Sequence, residues 1–315
     1  MFYPKVFIII LNWNGLQDTL ACLESVRALS YPNYETVVVD NGSVDSPVGA
    51  ITDAYPEVTV ILNGENLGYS GGNNAGIRYA LGEQADYIWL LNNDTVVEAE
   101  ALTALVTEAE EAPDIGIAGS KIYYFDCPKK IWFAGSHIDW WRGFTGHDGM
   151  GMMDLGQYDS IREVDRVTGC SMLVKREVCE RVGILDESFF LYVEEVDWCV
   201  RARKAGFKCV YVPSSIVHHK ISASASKAGI WDTVFAYYNT RNFLYLIKKS
   251  FYFPIREIIL LKVILLKLKT DKMSVLKALV LLLNNFNKLE PNKYPNLFAI
   301  KDFILNRSGK VVYKL

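Results

Sequence analysis

Four apolar runs in the first third of the chain each stop in a polar cluster: VFIIILNW, TVVVDNGS, VTVILN and YIWLLNND. Each is short and nearly continuously apolar, the pattern of a strand buried on both faces. Between them lie stretches with helical spacing: Leu16, Leu20, Leu23, Val26 and Leu29; Gly72 to Leu81; and Glu98 to Glu111. Strands alternating with helices predict an α/β fold, with a mostly parallel central sheet and helices on both faces. In open sheets of this kind ligands bind outside the carboxyl ends of the strands. The polar clusters at the run ends are therefore the first candidates for chemistry.

Three such clusters converge if the sheet is parallel: Asn12 and Asn14; Asp40, Asn41 and Ser43; and Asn92, Asn93 and Asp94. Asp94 with its two carboxamide neighbours offers hard oxygens suited to a divalent ion that also holds phosphate. The same residues also make turns. Asp40 directly follows three valines, so its carboxylate either accepts a pyrimidine N3–H or closes an Asx turn. The stretch NLGYSGGNNAG, Asn66 to Gly76, fits neither a GxGxxG loop nor a Walker motif. Its small residues either let backbone approach a diphosphate or ribose near a helix N-terminus, or serve tight turns.

A second acidic cluster, Glu194, Glu195 and Asp197, lies between FFLY and Trp198. Acidic residues in a first helical turn complement the macrodipole, and Asp197 with Arg201 has the i, i+4 spacing of a pair. For Glu195 the surrounding aromatics favour a functional reading, a partly desolvated carboxylate that works as a base. His218 and His219 follow the apolar CVYVPSSIV and could ligate a metal. Aromatic residues from Trp132 to Phe144, with Tyr192 and Trp198, would suit an acceptor platform or an ordinary core.

Charge is distributed unevenly. Residues 242–315 hold 14 Lys and Arg against 4 Asp and Glu, while the preceding residues hold 19 against 32, giving the net −3. A basic, Leu-rich tail behind an acidic body points to an anionic surface. Leu260 to Leu283 never offers ~18 uninterrupted apolar residues, because Lys262, Lys267, Lys269, Asp271, Lys272 and Lys277 interrupt it. It reads as interfacial helices, with a helical subdomain packed on the rest or a homodimer interface as alternatives. The six scattered cysteines form no CxxC pair, which favours reduced thiols in a cytosolic compartment. No cleavable leader is expected at the start, where FYPKVFIIIL reads as the first strand.

Together, IILNWNG, VVVDNGSVD, NGENLGYSGGNNAGI, LLNNDT, TGCSMLVKREV, GILDESFFLYVEEVDWCVRARKAG and the HKIS of residues 219–222 resemble family 2 glycosyltransferases. That is the GT-A fold group, and the likeness is to its bacterial rhamnosyltransferase-like branch, over residues 5–225. The resemblance implies a GT-A catalytic domain over residues 1–228, with a nucleotide-binding half (1–112) and an acceptor-binding half (113–228). A helical basic region would follow over 229–315. It implies inverting transfer of a sugar, L-rhamnose at branch level, from a dTDP- or UDP-linked donor to a hydroxyl of a glycan or lipid-linked glycan. No nucleic-acid partner is expected, and the expected place is the inner face of the cell membrane.

On this basis Asp94, Asn92 and His219 are the expected ligands of Mg²⁺ or Mn²⁺. Glu195 is the expected general base, with Glu194 and Asp197 as alternatives. The donor contacts then expected are Asn12, Asp40, Asn41, Asn66, Gly71, Asn74 and Asn93, with Arg241 of YYNTRN reaching the diphosphate. Trp140, Tyr192, Trp198 and Asp197 are the acceptor candidates. Two departures stand out: Asn92 occupies the first acidic position of the metal motif, and Glu stands where Asp is common at the base. A sugar nucleotidyltransferase would need a Gly-rich basic loop near the N-terminus, yet residues 8–20 hold only Gly15 and no Lys or Arg. A non-catalytic sugar-nucleotide-binding protein would not require all three acidic sites.

Overall fold

The computed structural model describes residues 3–44, 47–221, 230–274, 278, 281 and 292–310. The first stretch runs β1 (Val6–Asn12), α1 (Leu16–Arg27), β2 (Tyr34–Asp40), α2 (Pro47–Ala54), β3 (Thr59–Leu62), α3 (Gly68–Gly82), β4 (Tyr87–Asn92), β5 (Thr95–Val97) and α4 (Ala101–Glu111). Next come β6 (Ile115–Tyr124), β7 (Cys127–Phe133), β8 (Ser136–Asp139), β9 (Phe144–His147), β10 (Arg162–Glu163) and β11 (Ser171–Lys175). These are followed by α5 (Arg176–Val182), α6 (Glu194–Lys204) and β12 (Lys208–His219). The remaining helices are α7 (Ile230–Ser250), α8 (Ile255–Thr270) and α9 (Pro295–Ile304).

The main sheet is mixed, in the order β10-β12-β6-β11-β4-β1-β2-β3. Its nucleotide half, β4-β1-β2-β3, is wholly parallel. The strand order reverses about β1, which puts a switch-point crevice at the carboxyl ends of β1 and β4. β11 runs antiparallel between β4 and β6, and β12 is parallel to β6. Val6 to Ile10 are completely buried, as the continuous apolar run predicts. Each such aliphatic side chain contributes roughly 1.5–3 kcal/mol. Polar side chains within the sheet pair with one another: Trp89 donates to Ser171, and Ser171, Ser120 and Ser215 form a hydroxyl chain.

The helix expected from Gly72 begins four residues earlier, so most of the glycine-rich stretch lies inside α3. A Cβ at Gly72 would stand 2.5 Å from a Leu11 methyl, and one at Gly76 would stand 2.6 Å from Ile9 Cγ2. These glycines let the helix lie directly on β1. Gly68 alone in the stretch has a left-handed backbone, φ +74°, where the missing Cβ removes the penalty.

The chain divides into two compact units. The first comprises Met1–His137, His147–Asp186 and Glu195–Ile221, and the second Ile138–Gly146, Glu187–Glu194 and Ser222–Leu315. The second unit thus takes two short segments out of the middle of the chain as well as the tail. The long apolar helix suggested by Leu260 to Leu283 ends instead at Thr270, where Asp271 and Lys272 turn; most of residues 275–291 lie outside the described residues. No described helix is long and apolar enough to cross a membrane.

Candidate active site

Parallel pairing sets Asn12 directly beside Asp40. Asp40 Oδ1 accepts from Asn12 Nδ2 at 3.1 Å and Oδ2 accepts from the Ser43 N–H at 3.3 Å. Asn12 is fully buried, and its Oδ1 accepts from Thr19 Oγ1 at 2.8 Å. It therefore holds Asp40 at the strand mouth instead of facing a ligand. Asn41 is also a scaffold residue. Its Oδ1 accepts from Asn63 Nδ2 and the Leu67 N–H, and its Nδ2 donates to Asn66 Oδ1 and the Gly68 carbonyl. Asn66 Oδ1 in turn accepts from the Gly68 N–H, so both asparagines knot the turn that starts α3. Asn74 is buried and donates to the Leu185 carbonyl, while a Cβ at Gly71 would meet Leu67 at 2.8 Å. The direct donor contacts expected of Asn12, Asn41, Asn66, Gly71 and Asn74 are thus replaced by packing and turn roles, leaving Asp40 as the oriented carboxylate.

After β4 the chain turns through Asn92, Asn93 and Asp94 into β5. Asn93 swings back to α1, donating to Thr19 Oγ1 at 3.1 Å and towards the Gly15 carbonyl at 3.4 Å, so its amide joins the network that holds Asn12. The metal-motif partner comes from far along the chain. β5 pairs antiparallel with the end of β12, setting His219 beside Thr95. The Lys220 N–H donates to the Asp94 carbonyl, and His219 Nε2 lies 3.1 Å from Asp94 Oδ1. The His-His pair therefore closes a strand and does not begin a loop. Alternation sends His218 the other way, to Glu98 and onto Tyr123.

Burial works against charge on the His219 ring, but Cys170 and Asp94 outweigh it and raise the imidazole well above its ordinary value. Burial also pushes the Cys170 thiol up, with His219 working against it. The donor set fits a divalent ion in part. Two cis ligands of an octahedral ion with bonds of about 2.1 Å lie about 3 Å apart, matching the Asp94–His219 separation of 3.1 Å. Among the described residues no group of three or more His, Cys, Asp or Glu could hold a metal ion, so the pair leaves coordination positions for other oxygens.

α6 begins at Glu194, and Glu195 Oε1 accepts from Arg166 Nη1 at 3.1 Å. The buried Arg166 is the residue that the sequence reading missed; its signal was a lone cation in the apolar stretch VDRVTGC. Beside it stands His147, pushed down to about 3 by burial and then by the Arg166 charge, and so neutral. Trp132 packs edge-on against both His147 and His219, each at 4.6 Å. Arg166, His147 and Trp132 thus line the way between Glu195 and the Asp94–His219 pair, all within the first unit.

Several expected roles fall away. Asp197 is buried and accepts from Arg201 Nε at 2.7 Å, the i, i+4 pair favoured from the sequence. Trp198 is fully buried and donates to the Gly183 carbonyl at 2.8 Å. Both anchor α6 and neither is open to an acceptor. Arg241 is fully buried in the second unit and donates to the carbonyls of Phe189 and Gly309 and to Asn242 Oδ1, so its guanidinium is engaged within that unit. Trp140 is half-buried against Phe243 and Phe251, and Tyr192 against Phe235. The Tyr192 phenol is pushed up to about 12 by burial and by Glu194.

The chain is similar to known proteins in sequence and in fold. N-acetylglucosaminyl-diphospho-decaprenol L-rhamnosyltransferase of Mycobacterium tuberculosis is 32% identical over 220 residues, 63% of this chain and 70% of that protein. The dTDP-rhamnosyl transferase RfbF of Shigella flexneri is 24% identical over 310 residues, covering 97% of each chain. Other relatives are longer: the match spans 25% of the Sinorhizobium fredii protein y4gI and 61% of the Haloferax volcanii hexosyltransferase Agl10. In structure, the mannosyltransferase PcManGT from Pyrobaculum calidifontis, solved with GDP-Man and Mn²⁺, superposes with a TM-score of 0.60 at 14% identity, over 98% of this chain and 89% of that one. Residues 7–183 match the family model for Glycosyl transferase family 2. The chain therefore belongs to glycosyl transferase family 2, with a GT-A fold and rhamnosyltransferases among its relatives.

Proposed function

We propose that the protein transfers a sugar, L-rhamnose in the first instance, from a dTDP- or UDP-linked donor to a hydroxyl of a glycan or lipid-linked glycan, with inversion. The observation that carries this reading is the grouping of Asp40, the Asp94–His219 pair and the Arg166–Glu195 pair in one unit, with the first two at strand ends of a single sheet. Asp40 reads the base. Asp94 and His219, with Asn92 beside them, would hold Mg²⁺ or Mn²⁺, which would neutralise charge on the departing diphosphate. Arg166 orients Glu195, which takes the proton of the acceptor hydroxyl. The acceptor oxygen forms its bond to the anomeric carbon as the bond to the diphosphate breaks on the opposite face, and the bonding pair leaves with the diphosphate. The sugar then passes through an oxocarbenium-like state.

A lipid-linked acceptor would bring the second unit to the cytoplasmic face of the cell membrane. Tyr252 and Phe253 are 89% and 76% exposed. They lead into the exposed Ile255, Ile258 and Leu261 on one face of α8, with Lys248, Lys249 and Lys262 exposed around them. Apolar groups ringed by lysines suit an anionic lipid surface. The transfer reading is tested with purified protein, a panel of nucleotide sugars and Mg²⁺ or Mn²⁺. Asp94→Ala and Glu195→Gln are each expected to lower transfer by roughly a hundredfold or more, with Glu195→Gln still binding donor; full activity of both variants would overturn the assignment.

A further inference from the structure

The segment before α6 has an uncommon backbone. Phe190, Tyr192 and Val193 have φ of +66°, +64° and +75°, the left-handed region that side chains disfavour and β-branched residues most of all. No glycine relieves the turn, so other contacts must hold it. They come from one face of α7. Phe190 stacks on Tyr238 at 5.6 Å, and Tyr192 meets Phe235 edge-on at 5.0 Å. One turn on, the fully buried Asn242 donates through Nδ2 to the carbonyls of Phe189, Leu191 and Tyr192 at 2.9, 2.9 and 2.7 Å. Phe235, Tyr238 and Asn242 follow i, i+3, i+7 and so share that face.

Arg241 settles which way the amide points. Its Nε donates to Asn242 Oδ1 at 2.9 Å, so the oxygen faces the guanidinium and the amino group faces the loop. Its Nη2 adds a bond to the Phe189 carbonyl at 2.9 Å, and Nη1 ties the assembly to the Gly309 carbonyl at 2.8 Å.

We infer that Arg241 and Asn242 are positioning residues: they hold residues 189–193 in the left-handed path from which α6 starts, and so set the place of Glu194 and Glu195. This rests on Glu195 being the base of the proposed transfer. Asn242→Ala frees the Leu191 and Tyr192 carbonyls, while Arg241 still holds that of Phe189, and lets the loop relax towards ordinary φ, displacing the start of α6. A displacement on the order of 1 Å at a reacting group costs about a hundredfold in rate.

The test compares Asn242→Ala, Glu195→Gln and the double variant, all as full-length protein. Turnover of Asn242→Ala is expected to fall by about a hundredfold. Donor affinity by calorimetry should stay as in the parent, because Asp40 and Asp94 lie outside the loop, and the acid limb of the rate–pH profile should move. The double variant should be no slower than Glu195→Gln alone, because the amide acts through that carboxylate. Unchanged turnover in Asn242→Ala overturns the inference, as does a double variant whose losses multiply with an unmoved pH profile. If Asn242→Ala does not fold, Phe235→Leu and Arg241→Lys carry the same comparison. Loss of transfer in Glu195→Gln with full turnover in the loop variants would sink this inference alone, whereas full transfer in Glu195→Gln would sink the base assignment beneath it.

Discussion

Asp94 and Glu195 are held in place by opposite means. Asp94 lies in the tight turn between β4 and β5, and the β5–β12 ladder sets His219 beside it, so main-chain pairing supplies the geometry. Glu195 follows three left-handed residues, each costing about 1–2 kcal/mol, and its approach is held by side chains of α7. A ladder is a sum of many equivalent bonds and tolerates the loss of any one. A strained turn held by one amide and one guanidinium does not. Single substitutions far from the chemistry should therefore disturb the base more readily than the metal pair.

The strongest way to break this contrast is at the charges themselves. Glu195→Gln should lower turnover by roughly 10²–10⁴-fold, the usual worth of a general base, with donor binding retained. His219→Ala should instead raise the Mn²⁺ concentration needed for half-maximal rate, and an unchanged metal titration would remove His219 from the ligand set. Next in size is packing under the donor side. Gly76→Val drives methyls into Ile9 and Val39 and should destabilise by about 1–3 kcal/mol, read as a lowered urea midpoint; an unshifted midpoint would contradict the close helix–sheet approach.

Smaller effects sharpen the second unit's part. Vesicles rich in anionic lipid should bind the full chain, and Lys262→Gln should weaken binding by about fivefold. If Ile258→Glu instead disrupts a dimer in sedimentation and no vesicle binding occurs, the surface serves a second copy of the chain. The smallest effect is a pH dependence in the first unit. Burial pushes the Asp154 carboxyl up, but hydrogen bonds from Lys121 and Tyr123 win and hold it down to about 2. A depressed carboxyl contributes stability above its ordinary value of about 3.9, and that stability is lost as pH falls through the folded value. Stability should thus decline from about pH 4 to about pH 2, and Asp154→Asn should flatten that decline in acid unfolding.

What could be read in advance follows a pattern. Asp40 and Asp94 were legible because strand ends are written in adjacent residues: an apolar run, then a carboxylate. The Asp197–Arg201 pair was legible from helical spacing. The helix over Gly72 to Leu81 was legible too, but not why its glycines are there, because a glycine present for close packing looks in sequence like one present for a turn or a ligand. Arg241 and Trp198 were misassigned for a related reason: an arginine or tryptophan near a motif shows its chemistry but not whether it faces the core.

The sequence by itself determined the α/β alternation, the parallel strands with their polar ends and the family, because burial period, strand ends and motif order are local properties of the chain. Tertiary structure decided the contacts themselves: His219 with Asp94, which the family resemblance alone had put together, and Arg166 with Glu195 and Asn242 with the loop before the base, which nothing in the sequence had. These partners lie 125, 29 and 50 residues apart. Only strand register and helix packing bring them within hydrogen-bond reach, and neither is encoded at either partner's own position.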